Sequence, residues 1–272
     1  MTSRRYFSAT RLGRLLPKLG KAALMAACWL SLPMVHAAPA LQVAAAADLA
    51  SCIAEINDAF AKSVGGADIK SSIGSSGNFY AQIRNGAPYD VFLSADIDYP
   101  RALAKAGMAD AASMTVYAHG QLVLWSMQAD LDLDAGFAVL KDPKILHIAI
   151  ANPAVAPYGR AAQAALEKAG VWNAIKPKLV MGENVAQTAQ FIETGNAQVG
   201  LVGIAHTRDQ HKQAKGRSWL VPADTYPLIE QAGIVTARGH DNPLAARYLA
   251  FLRSDTGRAI LRNNGFALPP SP

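Results

Sequence analysis

Cysteine is nearly absent from this chain, with Cys28 and Cys52 the only two. Once the N-terminal segment is set aside as argued below, Cys52 stands alone and no internal disulfide can form. Long apolar runs are missing too. The candidate at Ala22–Val35 (AALMAACWLSLPMV) is too short to cross a hydrocarbon layer about 30 Å thick. Aromatic residues make up 7% of the chain and alanine carries much of its 51% apolar content, so aliphatic side chains must build the core. No P-loop, GxGxxG, GxSxG or HExxH motif occurs. Among His119, His147, His206, His211 and His240, only His206 and His211 are close, and their spacing is wrong for one helix face. They read as scattered histidines. No metal set, cofactor or catalytic constellation is expected, and the chain does not read as an enzyme.

Residues 1–21 hold Arg4, Arg5, Arg11, Arg14, Lys18 and Lys21 and no acid. A short apolar segment follows, then Val35-His36-Ala37-Ala38, small where a signal peptidase reads. This is the layout of a secretory signal peptide over 1–38, which implies a periplasmic mature chain. A minor alternative makes Cys28, after Leu24-Met25-Ala26-Ala27, a lipoprotein site. The precursor carries a formal charge of +6; without those six bases the mature chain has 20 bases against 20 acids. The high isoelectric point therefore belongs to the precursor, and nucleic acid is not an expected partner.

The rest alternates strands with helices. Apolar runs near 41–47, 68–73, 91–93, 121–125, 146–150, 179–181, 199–203 and 233–236 read as strands. Helical spacing follows at 49–60, 78–83, 97–107, 158–169, 185–194, 243–253 and 256–263. Residues 211–228 read as loop with a short strand. This pattern implies an α/β chain with mainly parallel sheet. No Pro/Gly/Ser linker divides it, which suits two interwoven lobes, 39–119 plus 231–272 and 120–230, with the backbone crossing near His119-Gly120 and near Gln231. Cys52 falls on an apolar helix face and reads as a small buried hydrophobe. Asp96 reads as the cap of the helix after it rather than as one of a carboxylate pair with Asp90 or Asp98. Trp125, Trp172 and Trp219 read as core or lobe-surface aromatics.

Four strand-to-helix turns stand out: Ala45-Ala46-Ala47-Asp48, Gly74-Ser75-Ser76-Gly77, Ala156-Pro157-Tyr158-Gly159 and Asn184-Val185. Ligands of open α/β sheets bind beyond the carboxyl ends of strands, where helix N-termini present unpaired N–H groups. None of the four turns brings Lys or Arg. Neutral donors of this kind suit an anion that is desolvated and later released. One such turn alone is ordinary loop chemistry; four in one chain are not.

The segments AAAADLA, IGSSGNFYAQIRNGAPYDVFLSAD, IAIANPAVAPYGRAA and GENVAQTAQFIETGNAQVGLVG together resemble the periplasmic molybdate-binding proteins of ABC transporters, over about residues 41–270. The resemblance implies a type II periplasmic-binding fold, α/β, with two interwoven lobes closing on molybdate or tungstate. It implies a membrane permease as partner, and the chain is expected to be a monomer. Carried over by position, the ligand contacts are Ala47, Asp48, Ser75, Ser76, Tyr158 and Val185, with the last two acting through backbone N–H. Asp48, Ser76, Tyr158 and Val185 would meet oxyanion oxygens and not the metal. Other readings are a sulfate-like oxyanion, a sensor, or an enzyme on the same scaffold.

Two positions depart from the family pattern. The first turn usually shows Ser, Thr or Asn, whereas here Ala47 has no hydroxyl and Asp48 is an acid. A carboxylate facing the anion would repel each of its charges by about 4 kcal/mol at about 4 Å near a surface. Asp48 is therefore expected to turn back and cap its own helix. A tyrosine found late in the second lobe of many members aligns with Gly203, and Tyr158 is expected to cover that side.

Overall fold

The computed structural model describes residues 40–208 and 216–270. The expected signal peptide, Cys28 and His211 lie outside the described residues.

In chain order the elements are β1 (Leu41–Ala46), a 3₁₀ turn (Ala47–Ser51), α1 (Ile53–Ser63), β2 (Ile69–Gly74), α2 (Ser76–Arg84), β3 (Val91–Ser94), α3 (Asp98–Lys105), β4 (Thr115–Gly120) and β5 (Leu122–Ser126). Then come β6 (Ile148–Ala151), α4 (Pro157–Lys168), α5 (Trp172–Ile175), β7 (Leu179–Gly182), α6 (Val185–Glu193), β8 (Val199–Gly203), β9 (Arg217–Leu220), β10 (Ile229–Val235), α7 (Pro243–Leu252) and α8 (Asp255–Asn263). The helices start where the sequence supplies a cap. Ser75 Oγ accepts from the Asn78 N–H at 3.3 Å at the head of α2, and Asn184 Oδ1 from the Gln187 N–H at 3.0 Å at the head of α6. Pro157 opens α4, where no N–H is needed. Gly195, at φ 77°, follows α6 in the left-handed region that suits glycine.

Two five-stranded sheets result, ordered β2-β1-β3-β10-β4 and β7-β6-β8-β5-β9. Both are mixed, which corrects the expectation of mainly parallel sheet. In the first, β10 runs antiparallel to both neighbours; in the second, β5 does. The remaining pairs, β1 with β2 and β3, and β6 with β7 and β8, are parallel. The two reversed strands are the ones the chain enters on crossing from one sheet to the other. A strand arriving from the other lobe does not follow a right-handed β–α–β crossover, so nothing forces it parallel.

β4 was absent from the sequence reading. The strand expected there covers 121–125 alone; only Gln121 separates β4 from β5, and the chain passes from one sheet to the other at that residue. The return lies between β9 and β10, and Gln231 is the third residue of β10.

Each sheet carries a core. In the first, period two divides the strands cleanly. Leu41, Val43, Ala45, Val91 and Leu93 face α1, α7 and α8, with Phe60, Tyr248 and Leu249. Ala44, Phe92 and Ile234 face α2 and α3, with Phe79, Ile83 and Leu103. The second sheet packs around Trp125, Leu124, Ile148, Ile150, Ala162 and Leu201. Trp172 and Trp219 lie partly buried against it, and Cys52 is a buried free thiol.

Candidate functional site

Strands β1, β2, β6 and β7 end toward one place, and the turns after them carry the expected ligand residues there. Ala47, Asp48, Ser75, Ser76, Tyr158 and Val185 all line one small cavity, with Ala95 and Asn184 among the rest of its wall. The sequence had put these residues on four separate turns; the fold brings all six together. Among the described residues no Lys or Arg lines this cavity. Two wider hollows, about 790 and 960 Å³, lie along the same cleft, one beside Asp96, Arg101 and Arg160 and the other beside Ser51, Gln187 and His206. The first also takes in the heads of α3 and α4 and the second that of α6, but only the smaller cavity brings together the heads of three helices, α2, α4 and α6.

The donors are of two kinds. Ser76, Tyr158 and Val185 occupy the first turns of α2, α4 and α6, where backbone N–H groups have no intrahelical carbonyl to reach. Three helix dipoles therefore turn their positive ends toward one volume. The hydroxyls add to this. Ser75 Oγ already accepts from Asn78, and Ser76 Oγ accepts from the Ala95 N–H at 3.0 Å. Each hydroxyl accepts one main-chain N–H, which fixes its oxygen, and donates to no neighbour, so its proton is left to donate. Both serines are buried, so a ligand here would exchange water for fixed dipoles.

Asp48 departs from its expectation. Its main partners are side chains from elsewhere in the chain, and the main chain of its own 3₁₀ turn, at Asp48 and Leu49, exerts a smaller pull on the carboxyl. Its Oδ2 accepts from the Tyr158 hydroxyl at 3.1 Å and from Gln231 Nε2. Gln231 in turn accepts on Oε1 from the Tyr117 hydroxyl at 3.0 Å. Oδ1 is buried and has no hydrogen-bond partner. Burial pushes the Asp48 carboxyl up to about 6, against the pull of Gln231, Tyr158 and the backbone of Asp48 and Leu49. Burial likewise drives Tyr158 and Tyr117 well above the usual phenol range, with Asp48 adding to both shifts.

Tyr158 owes its position to two glycines. A Cβ at Gly203 would come 3.0 Å from its ring, and one at Gly120 would strike its hydroxyl. The ring lies over Gly203, on the side that Tyr158 is expected to cover.

Polar contacts also join the two lobes across the cleft. The Gly77 N–H donates to the Val155 carbonyl at 2.9 Å. Arg160 pairs with Asp96, donates to the Tyr99 hydroxyl at 3.2 Å and lies over the Tyr99 ring. Asp96 also accepts from the Asp98 N–H at 2.8 Å at the head of α3, so it steadies that helix and clasps Arg160 at once. Asp90 is buried apart from both, with Gln42 and Asn242 as donors to its Oδ2. No group of three or more His, Cys, Asp or Glu among the described residues could hold a metal ion.

Sequence reasoning missed Gln231, Tyr117 and Arg160. Gln231 follows Glu230 in β10, and only the fold shows that its amide is fully buried. Tyr117 sat in the unrecognised strand, and Arg160 looked like any solvated base on a helix.

Two lobes, each an α/β sandwich, joined by two crossings and enclosing a cavity of helix N-termini, define a bilobal solute-binding protein. The chain belongs to the bacterial extracellular solute-binding protein family, whose pattern matches residues 41–267. It is 41% identical over 228 residues to the molybdate-binding protein ModA of Azotobacter vinelandii, covering 84% of this chain and 90% of that one. It is 39% identical over 249 residues to ModA of Rhodobacter capsulatus, covering 92% and 96%. The solved periplasmic molybdate-binding protein of A. vinelandii superposes with a TM-score of 0.80 at 34% identity, over 85% of this chain and all of the other.

Proposed function

We propose that this chain is the substrate-binding component of an ABC transporter, a binding protein and not an enzyme, that takes up molybdate in the periplasm and delivers it to a membrane permease. The observation that carries this reading is the convergence of three helix N-termini and two serine hydroxyls on a cavity that no lysine or arginine among the described residues lines, in a chain with relatives named for molybdate. A tetrahedral dianion needs many donors set around it, and uncharged donors hold it without an ion pair that would slow its release.

In this reading Ser75 and Ser76 donate through their hydroxyls. Ala47, Asp48, Tyr158 and Val185 donate through main-chain N–H. All of them meet oxygens of the anion and none touches molybdenum. Tungstate, with the same shape and charge, binds alongside molybdate. Lobe 1 comprises 39–119 plus 231–272 and lobe 2 comprises 120–230, and closure about the two crossings buries the anion. The chain is made with a signal peptide over 1–38, works as a monomer, and takes no cofactor and no nucleic acid.

Titration of the ligand-free protein with molybdate, tungstate, sulfate and phosphate, followed by calorimetry and thermal shift, tests this. Molybdate and tungstate should bind and raise the melting temperature, with sulfate and phosphate far weaker. A protein unmoved by molybdate and tungstate would refute the assignment.

A further inference from the structure

Asp48 is an acid in the wall of a cavity that, on the reading above, receives a dianion. One carboxyl oxygen, Oδ2, is committed to Tyr158 and Gln231. The other, Oδ1, is buried and unpaired. A bare carboxylate oxygen can only accept, and so can every oxygen of the anion. Placed together without a proton, the two would repel in a site sealed from water. With one proton on Oδ1 the same atom becomes a donor, in a wall otherwise made of donors.

We infer that Asp48 receives the oxyanion as a neutral acid, through a proton on Oδ1, so that each anion bound brings one proton into the protein. The inference rests on the proposed oxyanion-binding function and adds a specificity-determining side chain to it. The proton comes from solvent and remains on the carboxyl. No bond to the anion is made or broken, and the pocket gains two negative charges with the ligand rather than facing them with a third. Tyr158 and Gln231 hold Oδ2 as the acceptor, which leaves Oδ1 as the oxygen to be protonated.

The surroundings single out Asp48 as the group that titrates. Tyr158 on α4 and Tyr117 on β4 are held protonated by burial. The Cys52 thiol, at the end of the same 3₁₀ turn, is pushed up to about 12 by burial and by the charges of Asp48 and Glu55. Gln231 on β10 carries no charge. Further out, elements packed on the turn bring Glu193 of α6, Glu55 of α1 and His206 of the 204–207 turn. The carboxyl's raised value of about 6 leaves it mostly ionised before binding at neutral pH, so the uptake is visible there.

The test is calorimetry of sodium molybdate binding to the full mature protein at about pH 6, 7 and 8, each in two buffers of different ionisation enthalpy. Wild type should take up close to one proton per anion at the upper end, and its affinity should fall about tenfold per pH unit there. Asp48→Asn should take up none, and its affinity should stay level with pH. If Asp48→Asn does not fold, Tyr158→Phe serves. It removes a hydrogen bond that lowers the carboxyl, so the fall in affinity should begin at higher pH. A slope shared by wild type and Asp48→Asn would assign the proton to the anion or to His206 and overturn the inference. So would a folded Asp48→Asn that no longer binds molybdate, and both leave the binding function standing. Failure of wild type to bind molybdate at any pH would remove that function and the inference together.

Discussion

The burial of Asp48 should be visible in the stability of the ligand-free protein, before any anion is added. Its folded value of about 6 lies above the ordinary 3.8. Below both values the carboxyl is neutral in the folded and unfolded chains and costs nothing. Between them the folded protein keeps a proton that the unfolded chain has released, so stability falls as pH rises through that window. Above about pH 6 both forms are ionised, and the full penalty persists. A gap of about two units corresponds to about 3 kcal/mol at most. Asp48→Asn keeps the shape, offers its amide oxygen to Tyr158 and Gln231, and cannot ionise. Urea unfolding of both proteins in steps from about pH 4 to 8 should therefore give a difference near zero at the acid end. The difference should grow in favour of Asp48→Asn to about 3 kcal/mol by pH 6 to 7 and then level off. Other carboxylates titrate alike in the two proteins and cancel. A constant difference across the window would mean the carboxyl is not raised. A variant less stable than wild type above pH 7 would mean that the charge, held by Tyr158 and Gln231, stabilises the fold.

Other substitutions separate closure of the lobes from folding. Gly77→Ala places a Cβ 2.6 Å from the Val155 carbonyl and 2.8 Å from the Tyr99 hydroxyl; molybdate affinity should fall at least tenfold while thermal stability holds or rises by up to about 1 kcal/mol, because alanine favours helix. Arg160→Ala removes the clasp on Asp96 and Tyr99, and should raise the molybdate release rate several-fold in stopped flow, matching about 1 kcal/mol for a partly exposed pair, with less effect at high salt than the wild-type clasp shows. Ser76→Ala deletes a donor to the anion and the acceptor of the Ala95 N–H, and calorimetry should show affinity down by about 10- to 100-fold.

What the sequence made legible was local, and what it hid was the product of two chain crossings. The four turns could be read because each is a short-range event: a strand ending, a small or hydroxyl residue, a helix cap. Ser75 and Asn184 cap α2 and α6 whatever the rest of the chain does. The reversed strands β5 and β10, and the division of 115–126 into β4 and β5, depend on where the chain leaves one sheet for the other, and no local periodicity records that. Asp48 shows the limit most sharply. Judged from its neighbours alone, an acid at the head of a helical turn should cap it. Its partners come instead from 110 and 183 residues further along the chain. A buried amide within an apolar strand has to satisfy its hydrogen bonds somewhere. Applied to Gln231, that demand requires a buried polar partner, and a short apolar turn holding a single acid meets it. Only the fold shows that Gln231 is buried and that its amide meets the Asp48 carboxyl, the group on which the proposed pH dependence turns.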